Sequence, residues 1–268
     1  MPHARDNPVQ RRHRNSVRRP GRLWYLWNND GSPAWYSSLV APTGFVSASS
    51  SPAITRSFAA TEITAAASDG SLWFYWNNDG SPAWYSSRVA GPGSEAAGFS
   101  PAITRTSDGT LIASTFLFQG GILFGNYYRD EVFENTDGSP TWQAQIVYGS
   151  DNGLNPAIVP TSDGAVLAST TALPYASVQI WRNLSGSGSW NPEQVSGPGT
   201  AYGSPAITKS SSATEVTAAG SRGSLWFYWS ADGSSTWHTE QRANDGSVLS
   251  VPAITRSAGA TEIAVLGP

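Results

Sequence analysis

Along most of the chain, polar and apolar residues alternate in short runs that are broken by Gly, Asp, Asn and Ser-Pro. This is the pattern of β-strands joined by tight turns, not of helices. A unit read from Ser51 holds four such runs, Pro52–Arg56, Thr61–Ala67, Leu72–Asn77 and Ala83–Val89. Asp69-Gly70 and Asn78-Asp79-Gly80-Ser81-Pro82 punctuate the last two junctions as hairpin turns require.

The unit recurs. Ser51-Pro-Ala-Ile-Thr55 returns as Ser100-Pro-Ala-Ile-Thr104, Asn155-Pro-Ala-Ile-Val159, Ser204-Pro-Ala-Ile-Thr208 and Val251-Pro-Ala-Ile-Thr255, at intervals of 49, 55, 49 and 47 residues. Four antiparallel strands in ~40–50 residues is the size of one β-propeller blade. The last unit stops after two strands, Pro252–Arg256 and Thr261–Leu266, and the chain opens with the missing two, Leu23–Asn28 and Ala34–Val40. The expectation is therefore an all-β, five-bladed β-propeller of four-stranded antiparallel blades, closed by N-terminal strands that complete the C-terminal blade. Closure would remove the sheet edges that invite aggregation. The blades span about 51–91, 100–149, 155–196, 204–243, and 251–268 plus 21–40, in a single domain over 21–268.

Five copies in one molecule can be compared column by column. In the third strand, Tyr25, Phe74, Val132, Ile180 and Phe227 occupy one position, and Leu26, Tyr75, Phe133, Trp181 and Tyr228 the next. Adjacent positions that are both apolar predict a strand covered on both faces, as between stacked blades. Trp35, Trp84, Trp142, Trp190 and Trp237 open every fourth strand and read as packing residues.

Other columns split the copies. Trp73 aligns with Trp24 and Trp226 but with Glu131 and Gln179 in the second and third blades. Trp76 aligns with Trp27 and Trp229 but with Glu134 and Arg182; Tyr85 aligns with Tyr36 and His238 but with Gln143 and Asn191. A position that accepts Glu or Arg is partly wet, because an unpaired buried charge is costly. Recurrent indole at such positions points to ligand contact. Rings of this kind accept the C–H face of a pyranose while polar neighbours take its hydroxyls. The candidate carbohydrate-binding residues are Trp24, Trp27, Tyr36, Trp73, Trp76, Asn77, Tyr85, Trp226, Trp229 and His238. Several weak sites on one rigid frame would gain through multivalency.

Composition narrows the remaining classes. The 268 residues include no Cys, which excludes disulfides, thiolate metal sites and a thiol nucleophile. Only 13% are charged, against 12% aromatic, with 27 Gly and 18 Pro. No run of ~18 apolar residues is present, so no membrane span is expected. Seven arginines fall in residues 1–22, and residues 23–268 hold nine more acidic than basic side chains. An acidic body argues against nucleic-acid binding through the propeller, and residues 1–20 read as a basic, disordered arm. They lack the apolar stretch of a secretory signal, so secreted and cytoplasmic locations are both allowed. An oligomer is equally compatible with the sequence.

No catalytic residue, metal site or cofactor is assigned. Asn77-Asn78-Asp79-Gly80 lacks the ligand alternation of a calcium loop. Most body Asp residues precede Gly in turns, and His238 is the one histidine of the body. Ser230-Ala231-Asp232-Gly233-Ser234-Ser235-Thr236-Trp237 resembles the Asp-box of sialidase-type propellers, a structural element that supports a blade rather than a hydrolase.

The stretch from Asp69 to Trp84, D-G-S-L-W-F-Y-W-x-x-D-G-S-x-x-W, resembles the blades of propeller lectins. The five-bladed tachylectin-2-like fold is the nearest architecture, and the multi-bladed lectins of insect-pathogenic bacteria have a similar cadence. The resemblance covers 21–268 as a rhythm, without reproducing those families' sugar motifs residue by residue. It implies small pockets between blades and a multivalent, non-catalytic lectin whose partner is a glycan. A protein-interaction scaffold and a glycosidase or sialidase-like enzyme stand as the alternatives.

Overall fold

The computed structural model describes residues 21–28, 33–57, 60–78, 81, 83–119, 126–136, 138–147, 153–171, 176–184, 188–196, 201–231, 234–257 and 259–268. The basic arm (1–20) and Asp79, Gly80, Pro82, Asp232 and Gly233 of the predicted turns lie outside the described residues.

All assigned elements are strands. Sheet I consists of β3 (Ala53–Arg56), β4 (Ala60–Ala66), β5 (Leu72–Asn78) and β6 (Tyr85–Ala90), in chain order. Sheet II holds β7 (Ala102–Arg105), β8 (Thr110–Gln119), β9 (Asn126–Asn135) and β10 (Gln143–Ile146). Sheet III holds β11 (Gly153–Thr161), β12 (Gly164–Thr171), β13 (Val178–Leu184) and β14 (Asn191–Gln194). Sheet IV holds β15 (Tyr202–Lys209), β16 (Ala213–Ala219), β17 (Leu225–Ala231) and β18 (His238–Ala243). Each is an antiparallel meander of four strands, as the turn spacing predicts. The predicted strands of the first full unit agree with β3 to β6 to within two residues at each end.

The terminal strands differ from the expectation. β1 (Gly21–Asn28) pairs with β2 (Trp35–Val46), and β19 (Ala253–Ser257) pairs with β20 (Ala260–Ala264), as two separate two-stranded sheets. The single four-stranded fifth sheet is not formed. Each pair instead covers its own sequence neighbour. Leu23, Ala41 and Val46 pack with Ile63, Ala65 and Tyr75 of sheet I, and Ile263 packs against Ala219, Leu225 and Val248 beside sheet IV. Strand complementarity is a local property. Closure depends on rotations summed over every sheet, which no local pattern encodes.

Alternation decides which seam each residue fills. In sheet I, Ile63, Ala65 and Tyr75 face β1–β2, whereas Leu72 and Phe74 face sheet II with Ile103, Ile112 and Phe133. Third-strand residues are covered on both sides: Tyr75, Phe133, Trp181 and Tyr228 are buried, as are Val132, Ile180 and Phe227. Their terminal counterpart Leu26 is 58% exposed, because no sheet lies on that side of β1.

The fourth-strand tryptophans act as outer staples. Trp84 Nε1 donates to Ser38 Oγ (2.9 Å), Trp142 to Ser87 Oγ (3.2 Å), Trp190 to Gln145 Oε1 (3.0 Å) and Trp237 to Glu193 Oε2 (2.8 Å). Trp142, Trp190 and Trp237 each reach back to the fourth strand of the preceding sheet, and Trp84 reaches back to β2.

Candidate functional site

Three ring ladders run across the sheets at the ends of the third strands. In sheet I, Phe74 stacks on Trp76 (centroids 5.4 Å, planes 19° apart) and Trp76 on Tyr85 (5.6 Å, 24°). In sheet IV, Phe227, Trp229 and His238 repeat this at 5.5 and 4.9 Å; in β1–β2, Tyr25, Trp27 and Tyr36 do so at 5.2 and 5.6 Å. The cause is local. Residues i and i+2 share a face, and Trp76↔Tyr85, Trp229↔His238 and Trp27↔Tyr36 are cross-strand partners. Tyr85, Tyr36 and His238 remain exposed at the open end of each ladder.

Beneath two of the ladders lies a buried carboxylate. Glu62, 3% exposed, is the cross-strand partner of Trp76, and Glu215, 5% exposed, is that of Trp229. Glu62 accepts from Arg105 Nη1 (3.2 Å) and Thr110 Oγ1 (2.8 Å) of the next sheet, and Arg105 also donates to Thr110 (2.7 Å). Glu215 accepts from Arg256 and from Thr261 Oγ1 (2.7 Å), with Arg256 donating to Thr261 (2.8 Å). In each triad the arginine and the threonine compensate the carboxylate's removal from water.

Each triad and ladder borders a cleft between successive sheets. The sheet I/II cleft, about 120 Å³, is lined by Glu62, Phe74, Trp76, Arg105 and Trp142. The cleft between sheet IV and β19–β20, about 360 Å³, is lined by Glu215, Phe227, Trp229, Glu240, Arg242 and Thr261. In the latter, Arg242 binds Glu240 (2.8 Å) and lies 5.5 Å over the Phe227 ring. Such walls offer apolar ring faces together with fixed donors and acceptors, which is what a polyhydroxylated ligand requires.

The middle seams are built differently. Opposite Leu111 and Val166 stand Glu134 and Arg182, where sheets I and IV have tryptophan. Glu134 accepts from Gln145 Nε2 (2.8 Å), and Arg182 pairs with Glu193 (3.2 Å). The II/III and III/IV clefts are lined by Glu134, Gln143 and Gln145 and by Arg182 and Glu193, respectively, with no aromatic ring among the described residues.

The structure gathers some predicted residues and separates others. Trp76 with Tyr85, Trp229 with His238, and Trp27 with Tyr36 come together. Trp73 does not join Trp76: three residues apart on a strand, they face opposite sides. Trp73 Nε1 donates to Ser71 Oγ (2.8 Å) and its ring packs edge-on against Phe45 at 4.9 Å. Trp226 likewise donates to Ser224 Oγ (3.1 Å) and packs beside the cluster of Val216, Ala218 and Tyr228. Trp24, of the same column, is exposed on β1. Asn77 is a turn clamp. Its Nδ2 donates to the carbonyls of Ser81 and Ala83, as Asn135 does to Ser139 and Thr141.

Sequence reasoning missed the Glu–Arg–Thr triads as contacts between units. The signal was present: Glu62 and Glu215 are each followed one unit later by arginine (Arg105, Arg256), whereas Leu111 and Val166 are followed by Pro160 and Lys209. Arg105 and Arg256 are therefore committed to glutamates of the preceding sheet.

Among the described residues no group of three or more His, Asp or Glu could hold a metal ion, and no helix is long and apolar enough to cross a membrane.

No family model and no curated protein matches the sequence. Solved structures do match in fold. The BP39L lectin of Burkholderia pseudomallei superposes with a TM-score of 0.70 at 16% identity, covering 90% of this chain and 70% of that one. A protein of unknown function from Dyadobacter fermentans gives 0.58 at 13% identity, over 80% and 72%. A Trypanosoma rangeli sialidase gives 0.50 at 10% identity, over 76% of this chain and 41% of that one. At these identities the likeness is one of fold: this chain has the propeller-like, four-stranded repeat architecture found in the BP39L lectin.

Proposed function

We propose that the chain is a non-catalytic carbohydrate-binding protein, a lectin that takes glycans in the aromatic clefts between successive sheets. One observation carries this reading. A ladder of three rings over a buried Glu–Arg–Thr triad recurs at two separate seams, each time beside a cleft. The BP39L neighbour, itself named a lectin, supports the same direction at the level of fold. The contact residues in this reading are Trp76, Tyr85, Trp229 and His238, with Trp27 and Tyr36 for a third site. The test is a triple variant, Trp27→Ala, Trp76→Ala and Trp229→Ala, on a glycan array. The wild type should bind, and the variant should keep its β-sheet circular dichroism and lose binding. Unchanged binding by the folded variant would sink the assignment.

The third site depends on the terminal strands, which we take as the two halves of a fifth blade closing the ring. Support comes from Leu26 and Trp35, 58% and 66% exposed, whose columns are buried or half-buried in every complete sheet. Glu262 would then stand to Arg56 and Thr61 as Glu62 stands to Arg105 and Thr110. Because the chain has no cysteine, Leu26→Cys with Ile263→Cys reports directly on closure. The pair copies the Tyr75↔Ile63 register and should form an intrachain disulfide, which strand pairs within ~7 Å can reach. A chain that stays reduced under mild oxidation counts against closure.

A hydrolase is the second reading, favoured by the sialidase and by a Bombyx mori GH32 β-fructofuranosidase (TM-score 0.50, 9% identity, 79% and 53% coverage) among the fold neighbours. Hydrolysis by a carboxylate pair needs one free nucleophile or base ~5–9.5 Å from an acid. In the two aromatic clefts Glu62, Glu215 and Glu240 are each engaged by arginine. Turnover of chromogenic glycosides that ends with Glu240→Gln would favour the enzyme.

A further inference from the structure

The junction between sheets I and II buries two carboxylates where the rest of the molecule places aliphatic side chains. Asp130 lies within β9 opposite Thr115; the matching positions hold Leu72, Val178 and Leu225, opposite Ala66, Thr170 and Ala219. Asp130 is fully buried. Glu95 lies in the linker from sheet I to sheet II, where its N–H donates to Gly70 O (2.8 Å). In the linker after sheet IV the same bond runs from Val248 N to Gly223 O (2.8 Å), so the counterpart of Glu95 is the buried Val248.

Both carboxylates are tied into bonds that cross the seams. Ser114 donates to Glu95 Oε2, while Glu95 Oε1 is buried without a partner. Thr115 Oγ1 donates to Asp130 Oδ1 (2.8 Å) and accepts from Asn155 N (3.2 Å) of sheet III. Ser169 of sheet III also hydrogen-bonds Asp130. The linker from sheet I, sheet II and sheet III therefore meet around one pair of acids. The charged groups on the surrounding elements are engaged elsewhere. Arg129 binds Glu131 and lies over Phe118, Arg105 binds Glu62, Glu134 accepts from Gln145, and Asp69 accepts from Ser71. Arg88 is exposed on β6.

We propose that Glu95 and Asp130 form a proton-dependent latch that fastens sheet II to its neighbours and makes the sheet I/II cleft stronger in acid than in alkali. The cleft part of this proposal rests on the glycan-binding reading above; the latch does not. Burial raises both acids, Glu95 to about 8 with Asp130 adding repulsion, and Asp130 to about 6. The folded state thus holds protons that the unfolded chain, with ordinary carboxyl values, has released. The junction is at full strength below the unfolded values and weakens as pH rises through the folded ones. The cleft beside β19–β20 has Val248 at the matching linker position and no such dependence.

The experiment is thermal unfolding of the whole chain from about pH 5 to about pH 9, beside glycan titration. The wild-type Tm should fall by several degrees across that range. Glu95→Gln with Asp130→Asn should flatten the profile, as should Glu95→Val with Asp130→Leu, which restores the aliphatic seats. Binding by a Trp229→Ala variant, which keeps the sheet I/II cleft, should weaken toward alkaline pH; binding by Trp76→Ala should not. Equal Tm slopes in wild type and both doubles would overturn the latch. A flattened Tm profile with no glycan binding by any form would keep the latch and remove the lectin reading alone.

Discussion

Two kinds of seam join the sheets of this molecule, and under the proposed function their difference separates recognition from scaffolding. The seam between sheets I and II and the one after sheet IV reach across: Glu62 and Glu215 are bound by Arg and Thr of the following unit. The II/III and III/IV seams are also crossed, by Trp190 to Gln145, Trp237 to Glu193 and Arg182 to Ser234. Their charged groups, however, pair within a sheet, Glu134 with Gln145 and Arg182 with Glu193, and among the described residues no acid there is bound by an arginine of the following unit. The aromatic seams leave ring edges and faces beside a cleft. The polar seams bury more: Trp181 and Trp190 join Leu111, Val132, Ile158 and Leu167 in one core between sheets II and III. In the proposed function, a half-buried tryptophan beside a cleft leaves the seam open to a ligand, whereas a fully buried one holds the array together.

The largest effect should therefore fall in a polar seam. Trp181→Ala empties a fully buried site and should cost ~3–5 kcal/mol, read from urea unfolding. Trp84→Ala, at a half-buried staple with one bond to Ser38, should cost less in the same assay. If Trp84→Ala proves the more damaging, the division of labour between the seams is wrong.

Next in size is the triad. Arg105→Ala leaves Glu62 buried with only Thr110, a loss of about 1–3 kcal/mol. The Arg105 side chain is 41% exposed, which keeps the figure below that of a fully buried pair. A double-mutant cycle over Glu62 and Arg105 should show coupling, whereas the corresponding cycle over Leu111 and Pro160 should show none.

Most of the fold was legible in the chain. The Ser-Pro-Ala-Ile-Thr phrase and the Asp-Gly turns located four complete sheets, because a strand's period and its turns are encoded within a few residues. The packing role of the third-strand columns and of Trp84, Trp142, Trp190 and Trp237 was legible for the same reason. The site was read only in part. Trp76, Tyr85, Trp229 and His238 came from positions that vary among the copies, and the structure brings them together. Trp73, Trp226 and Asn77 follow the same variation, yet they pack or clamp turns. Column statistics do not tell which sheet face a residue takes, and a one-residue change of parity reverses it. The triads were missed because each joins residues 41 to 48 positions apart. Asp130 and Glu95 were missed because charge at an apolar position looks like exposure until burial is known.

The smallest effect is also the sharpest test of what makes a seam aromatic. If the ladder and the triad are together sufficient, a polar seam should be convertible. Glu134→Trp would place indole beside Gln143, and Leu111→Glu with Pro160→Arg would rebuild the acid and its partner from the next sheet. Pro160 is exposed at the end of β11, so arginine there costs no core packing. The triple variant should add one weak glycan site by titration, at a stability cost that falls on Leu111, which is buried in the core between sheets II and III. Glu134→Trp alone should add none, because without the triad no fixed polar groups meet the ligand's hydroxyls. Binding by that single variant equal to the triple would mean that exposed indole suffices and that the buried triads serve only to fasten one sheet to the next.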